Sequence, residues 1–269
     1  MPVGDNYILP GRSDHDRLRV ISDLHDGATR QLLLQAGLTA GTTFVEFGCG
    51  MGYVTRWAAE RGAVATGLDV NEEQVQAAAA LIEPGMTNAS FRTANIYDPG
   101  LESASIDIAY CRWLLVHLNR PIEALRAIYK ALKPGGVVVC EEAGVSAIYT
   151  EPRSSAYDEM REIALEAGRR RGVNYDGGRS IHLWALDAGF ELVHAAAYHP
   201  HFLDGPYKGF WNWTFRNATR SLIGDGTLTE ARWSELVAGM NAADASATTI
   251  VAHCRMHQLI ARRPTSTQS

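Results

Sequence analysis

The stretch Val45-Glu46-Phe47-Gly48-Cys49-Gly50-Met51-Gly52 determines how this chain folds. Its apolar first part predicts a buried strand over 43–47, and three alternately spaced glycines follow. Glycine permits a positive φ and lets a ligand approach the main chain closely. A helix is predicted directly behind the turn, over 53–61, and a helix N-terminus offers free N–H groups and partial positive charge. The stretch therefore predicts a cofactor-binding turn at the carboxyl end of a buried strand.

Short apolar strands alternate with helices on both sides of this turn. The predicted strands lie at 43–47, 64–68, 90–93, 106–111, 137–141, 191–198 and 248–261. Strands and helices that alternate at this spacing indicate right-handed crossovers and a parallel sheet. The pattern therefore predicts a doubly wound α/β fold.

The predicted organisation is an N-terminal helical cap followed by a single core. The cap covers 1–40 and contains two helices, over 13–25 and 28–37. The core covers 41–269. Regular alternation weakens after residue 145, and we interpret 145–180 and 200–247 as a substrate lid, because strands of the core lie between these insertions.

Composition excludes several classes of protein. The chain has 269 residues, a formal net charge of -5 and no basic stripe, so nucleic acid is not an expected partner. No apolar run approaches the ~20 residues of a membrane span, and the N-terminus does not follow the order of a signal peptide. The 4 cysteines form no CxxC pair, which favours reduced thiols and a cytoplasmic location. The sequence does not fix the oligomeric state, and a homodimer is compatible with it.

Two cofactor classes use such a glycine turn. A dinucleotide fingerprint requires a third glycine where this chain has Tyr53. The spacing G-x-G-x-G, with the acid Glu46 two residues before the first glycine, is instead that of methyltransferases that use S-adenosylmethionine. Asp69 ends the next predicted strand, where a carboxylate can accept hydrogen bonds from both ribose hydroxyls.

With these residues, the chain resembles the class I S-adenosylmethionine-dependent methyltransferases, in particular the branch that acts on small molecules such as quinones and natural products. The resemblance covers about residues 5–200 and the last strand. It implies a Rossmann-like sheet of seven strands with the last one antiparallel, and S-adenosyl-L-methionine as the cofactor. It also implies methyl transfer to an O, N or C atom of a small organic acceptor, for which a secondary metabolite is our interpretation.

Further segments support the resemblance and suggest cofactor contacts. In the segment 92–98, Asn95 takes the place of the family's residue beside the adenine ring of the cofactor. In the segment 106–115, the resemblance implies that the Cys111–Arg112 backbone lies near the methionine end of the cofactor. A leader helix implies that Tyr7 and Arg17 reach the methionine carboxylate. The residues assigned to the cofactor are Tyr7, Arg17, Glu46, Gly48, Cys49, Gly50, Gly52, Asp69, Val70, Asn95, Ile96, Cys111 and Arg112. No Asn-Pro-Pro-Tyr-like motif follows the fourth strand, which favours a small-molecule acceptor.

The residues of the acceptor side are less clearly marked. His182 and His201 are the candidate general bases, because histidine titrates near neutral pH. His182 follows the glycine-rich segment 177–180 of the first insertion, and His201 follows the sixth strand, where the chain leaves the sheet for the lid. Exposed loop imidazoles are the alternative. His117 is interpreted as a structural residue of the wall. The candidate substrate-binding residues are Tyr149, Tyr207, Phe210 and Trp211. Aromatic clusters also serve as core packing, which remains the other interpretation.

Three alternatives to this site remain. The pair His253 and His257 has zinc-like spacing, but a zinc site needs three or four ligands and none is evident nearby, so no metal is predicted. An NAD-dependent oxidoreductase on a similar sheet is disfavoured by Tyr53. A non-catalytic cofactor-binding protein is disfavoured by the glycine turn, Asp69 and the lid.

Overall fold

The computed structural model describes residues 14–224 and 226–265, and its centre is a seven-stranded sheet. The strands are β1 (Thr43–Phe47), β2 (Val64–Asp69), β3 (Ala89–Thr93), β4 (Ile106–Arg112), β5 (Leu132–Gly144), β7 (Glu191–Tyr198) and β10 (Arg255–Arg262). Their order is β3-β2-β1-β4-β5-β10-β7. β10 pairs antiparallel with both neighbours, whereas the other pairs are parallel. The fold class expected from the sequence is confirmed.

A second, antiparallel sheet contains β6 (Tyr149–Glu151), β8 (His201–Phe202) and β9 (Ile250–Ala252), with β9 in the middle. The sequence predicted one strand over 248–261, and this was wrong. The chain leaves the strand path at His253, whose main-chain N–H donates to the carbonyl of Pro200 at 2.9 Å. β9 therefore joins the small sheet, and only β10 continues in the large one.

The helices pack on both faces of the large sheet and over the carboxyl ends of its strands. They are α1 (Asp14–Gln35), α2 (Tyr53–Glu60), α3 (Glu72–Ala80), α4 (Pro121–Ala131), α5 (Ser155–Arg170), α6 (Ile181–Asp187), α7 (Phe210–Gly224) and α8 (Glu230–Ala245). Within the ranges 14–224 and 226–265, none of the helices combines the length and apolarity that crossing a membrane requires.

The N-terminal segment forms one helix, α1, and not the two predicted over 13–25 and 28–37. Gly27 lies inside it, although a helical glycine costs about 1 kcal/mol relative to alanine. Burial outweighs this cost, because Ile21, Leu32 and Leu33 of the same helix are all buried.

The apolar core has one part that packs on the two faces of the large sheet and another among the helices over the carboxyl ends of its strands. β1 lies between β2 and β4 in the large sheet, and Phe44 and Phe47 are fully buried on its two faces. The helices of the predicted lid form a separate cluster that includes Met160, Trp211 and Met240. This cluster covers the carboxyl ends of β4 and β5, where open α/β sheets bind ligands. The lid boundaries and the division at residue 40 remain a proposal.

Candidate functional site

The glycine turn after β1 has the geometry that only glycine adopts easily. Gly48, Gly50 and Gly52 have φ values of 70°, 51° and 66°. A Cβ on Gly48 would lie 3.1 Å from Cδ1 of Leu114, and one on Gly52 would lie 2.3 Å from the ring of Phe91. Each position therefore excludes a side chain by conformation and by space, and the main chain is open to a ligand.

Asp69 holds this turn from the end of β2. One carboxylate oxygen accepts the N–H of Gly50 at 2.9 Å, and the other accepts the N–H of Asn71 at 2.9 Å. A carboxylate is an acceptor with about four lone-pair sites, so this group is chemically suited to sugar hydroxyls. Asp69, which the spacing predicted as a cofactor residue, therefore orients its carboxylate toward the glycine turn.

Glu46 connects β1 to the start of α2. It is buried, and one of its oxygens accepts from the N–H of Thr55 at 2.8 Å and from the Thr55 hydroxyl at 2.5 Å. Burial raises the pKa of Glu46 to about 7, although both Thr55 hydrogen bonds act in the opposite direction. The side chain therefore fixes the helix behind the turn.

A cavity of about 530 Å³ lies over the turn. Its volume falls within the ~300–1,000 Å³ of small-molecule and cofactor sites. The sequence-predicted cofactor residues that line it are Arg17, Glu46, Gly48, Cys49, Gly50, Asp69, Val70, Asn95, Ile96 and Arg112. We call this space the cofactor cavity. The glycine turn leaves the protein main chain open to a nucleoside cofactor, and the Asp69 carboxylate suits the sugar hydroxyls of that cofactor.

Three residues of the same prediction lie elsewhere. Tyr7 is outside the described residues. Gly52 supports the turn from behind and does not line the cavity. Cys111 is fully buried in the core and pairs across the sheet with Cys140. Successive side chains of a strand point to opposite faces, so the Arg112 side chain faces the cavity and the Cys111 side chain does not, while the contact expected of the Cys111 main chain remains a prediction.

Asn95 lines the cofactor cavity, but its amide oxygen already accepts the N–H of Tyr97 at 3.0 Å. A carbonyl oxygen has a second lone pair, which leaves one position for a ligand donor. The contact with an adenine amino group expected from the resemblance remains a prediction.

A buried polar network attaches α1 to the sheet beside the cofactor cavity. Arg112 donates to Asp26 at 2.8 Å and to Thr29 at 2.7 Å, while Glu141 accepts from Tyr110 at 2.8 Å. Burial acts to lower the pKa of Arg112, but Tyr110, Asp26 and Glu141 outweigh it and raise that pKa overall. The network keeps α1 against the sheet, so that its first turns form one wall of the cavity.

A smaller, apolar cavity of about 100 Å³ adjoins the first. Arg17, Ile21, Trp113 and His117 line both spaces, so the two share one wall. We call the second space the acceptor cavity. Two of the predicted substrate-binding residues, Phe210 and Trp211, line it.

The other acceptor-side candidates lie outside the linings of both cavities. His201 and Tyr149 contact each other on the small sheet, with 3.1 Å between Nε2 and the hydroxyl. Tyr207 packs against Phe202, with 6.1 Å between ring centroids. His182 lies on α6, close enough to His257 to help lower the pKa of that residue, which burial lowers most. The antiparallel pairing of β8 with β9 carries His201 to the small sheet, and the sequence pattern does not show this pairing.

The turn after β4 contains two residues that the sequence analysis missed as site residues, Trp113 and His117. Trp113 has a φ of 54°, which is rare for a residue with a large side chain. Its main-chain N–H donates to the main-chain carbonyl of Glu141 at 3.0 Å. His117 meets the ring of Tyr175 edge-on, with 5.4 Å between centroids. Their position directly after a parallel strand was the available signal.

Buried Glu142 shapes this turn. Its carboxylate accepts the N–H groups of Leu114 at 3.1 Å, Leu115 at 2.7 Å and Val116 at 3.4 Å. Burial raises the pKa of Glu142 to about 7, while these three hydrogen bonds act to lower it. One carboxyl group therefore positions the main chain that connects Trp113 to His117.

Comparison with known proteins agrees with this geometry. The profile of the methyltransferase domain family matches residues 15–195. A methyltransferase of Schizosaccharomyces pombe is 32% identical over 132 residues, which are 48% of this chain and 47% of that protein. The ubiquinone biosynthesis O-methyltransferase of Psychrobacter arcticus is 29% identical over 170 residues, which are 61% of this chain and 64% of that protein. The chain thus matches about half the length of these relatives.

Among solved structures, a methyltransferase from Bacillus halodurans superposes with a TM-score of 0.61. The superposition covers 88% of this chain and 98% of that one at 19% identity, so it supports the fold alone. The family profile spans more than half of the chain, and the glycine turn, Asp69 and the strand order have the geometry expected for it. The chain therefore belongs to the methyltransferase domain family and has the class I methyltransferase fold.

Proposed function

We propose that this chain transfers a methyl group from S-adenosylmethionine to a small organic acceptor. The observation that supports this most directly is the wall shared by the cofactor cavity and the acceptor cavity. A methyl donor in the first space and a nucleophile in the second would meet beside Trp113 and His117. The family profile and the Psychrobacter arcticus relative support the same reaction class.

The cofactor, when bound, supplies an electrophilic methyl group on a sulfonium sulfur, whose C–S bond breaks as the bond to the acceptor forms. The protein then has to hold the reacting groups in line and exclude water. Orientation of this kind can supply up to ~7–11 kcal/mol of the barrier. Asp69 and the glycine turn fix one reactant, and the apolar wall around Trp211 fixes the other.

An acceptor that carries a proton also needs a base. We propose His117 for this role, because it is the histidine that lines both cavities, whereas His182 and His201 line neither. The acceptor's proton would pass to the imidazole as its oxygen or nitrogen bonds to the methyl carbon. A positioned base contributes ~10²–10⁴-fold to the rate.

The first experiment measures binding of S-adenosylhomocysteine and of NAD by calorimetry. Binding of the former alone supports the proposal, and binding of NAD alone would favour the oxidoreductase alternative. The second experiment measures release of S-adenosylhomocysteine from S-adenosylmethionine with a panel of small phenols and amines. Cofactor binding without turnover on any of them would favour a non-catalytic role.

The His117→Gln variant tests the base. It should lower the single-turnover rate by ~10²-fold or more while affinity for S-adenosylhomocysteine stays constant. His182→Gln and His201→Gln serve as matched controls and should retain the parent rate. If His117→Gln retains the parent rate with a proton-bearing acceptor, His117 is not the base.

The finer parts of the proposal rest on the sequence. A secondary-metabolite acceptor rests on the resemblance, a cytoplasmic location rests on the cysteine pattern, and a homodimer is compatible with the sequence. The proposal also includes the absence of a nucleic-acid substrate. That absence agrees with the net charge of -5.

A further inference from the structure

The acceptor cavity contains hydrogen-bond donors that the protein leaves unused. The indole Nε1 atoms of Trp113 and Trp211 and the hydroxyl of Thr214 are buried, and no group within residues 14–224 and 226–265 is hydrogen-bonded to any of them. All three residues line this cavity. Buried polar groups nearly always have a partner, so unpaired donors on three residues that line one cavity indicate a ligand that accepts hydrogen bonds.

The two indoles are held in place. Trp113 has its left-handed backbone conformation, and strained conformations of this kind persist mainly where the surroundings impose them. Its ring lies 5.9 Å from that of Trp211, and Trp211 in turn packs against Phe215 at 5.9 Å. Both indole rings are therefore held rigidly, which is what selection of a ligand by hydrogen bonds requires.

The charge of the wall argues against a cationic ligand. Aromatic walls do bind ammonium groups, but in the described part of the chain no carboxylate lines this cavity, and Arg17 carries positive charge at its edge. An indole N–H can only donate a hydrogen bond, and a quaternary ammonium has nothing to accept it. An uncharged ligand with an acceptor oxygen satisfies the donors and adds no uncompensated charge.

The volume limits the size of the ligand. An engineered apolar cavity of about 150 Å³ in another protein binds benzene. The acceptor cavity has about 100 Å³ and shares lining residues with the cofactor cavity, so we expect a ligand of at most one ring there.

We propose that the acceptor cavity selects uncharged, single-ring compounds whose oxygen atoms accept hydrogen bonds from the indole N–H groups of Trp113 and Trp211. This inference rests on the proposed function, since it names the acceptor class for that site. Trp113 and Trp211 are then specificity-determining residues, and Thr214 supplies a third donor.

The test uses four probes with protein saturated in S-adenosylhomocysteine. Acetophenone has a ring and a carbonyl oxygen, and α-methylstyrene has the same shape without the oxygen. Trimethylphenylammonium carries a cation, and methyl naphthyl ketone carries a second ring. Acetophenone should bind at least ~10-fold more tightly than each of the other three. Equal binding of acetophenone and α-methylstyrene, tighter binding of the cation, or no binding of any probe would overturn the inference. Equal binding of the naphthyl ketone would overturn the size limit.

Trp113→Phe and Trp211→Phe keep an aromatic ring and remove one donor each. Each should weaken acetophenone binding while leaving α-methylstyrene binding as it was. Trp57→Phe, on α2 and under Arg30, is the matched control and should change neither. The midpoint of urea unfolding reports folding in every variant, because Trp113 also lines the cofactor cavity. If the parent protein does not bind S-adenosylhomocysteine, the proposed function fails; if it does and the variants do not affect probe selectivity, only this inference fails.

Discussion

Glu142→Gln tests whether a buried acid beneath the candidate site holds a proton at neutral pH. Burial raises its pKa from 4.5 to about 7. Between these values the folded chain retains a proton that the unfolded chain has released, so raising the pH favours unfolding. Glu142 therefore lowers the free energy of unfolding progressively from pH 4.5 to about 7, and its effect is constant above that. At about 1.4 kcal/mol per pKa unit, the full decrease is about 3 kcal/mol.

The assay is urea unfolding of the parent and of Glu142→Gln at about pH 5 and about pH 8. Glutamine cannot ionise, and part of the decrease has already occurred at pH 5, so the variant should gain about 2.5 kcal/mol relative to the parent between these two conditions. The comparison is between two chains, so buried histidines that titrate in the same range affect both equally. Glu102→Gln is the control, because solvent hydrates that exposed carboxylate in both states. Parallel profiles for Glu142→Gln and the parent would refute the argument. They would mean that the three N–H groups on the carboxylate outweigh its burial.

Three further predictions concern the cofactor cavity and the helix beside it. Asp69→Asn cannot accept both main-chain N–H groups and should weaken S-adenosylhomocysteine binding by about 1.5–3 kcal/mol in calorimetry; unchanged affinity would remove Asp69 from the site. Arg112→Met leaves Asp26 without its 2.8 Å partner and should lower unfolding free energy by ~3–5 kcal/mol in urea, and a loss below ~1 kcal/mol would contradict this. Gly48→Ala should lower S-adenosylhomocysteine affinity, because the new methyl group lies 3.1 Å from Leu114 and the backbone has a strained φ. Gly27→Ala is the control, because its methyl group enters open space. It should leave affinity unchanged and raise the free energy of unfolding by ~0.5–1 kcal/mol. Equal affinity of both alanine variants would show that the turn tolerates a side chain.

The sequence alone determined most strands of the large sheet and the residues around the glycine turn. The strand that ends in Gly48, the following helix and Asp69 at the end of the next strand are close along the chain. Their geometry follows from local conformational preference and from the short crossover between neighbouring parallel strands. For this reason Glu46, Gly50 and Asp69 lie where their spacing predicts.

Only the tertiary structure decided which side chains meet at the acceptor side. Cys111 and Arg112 are adjacent in sequence, yet the strand alternation and the network with Asp26 assign just one of them to the cavity. His201 lies on the small sheet and away from both cavities because β8 pairs with β9, a strand about 50 residues further along the chain, with His201 opposite Ala252. Such long-range pairings depend on the packing of the whole chain and leave no local pattern. His117 and Trp211 share a cavity wall for the same reason, because packing of α7 over the turn after β4 brings them together.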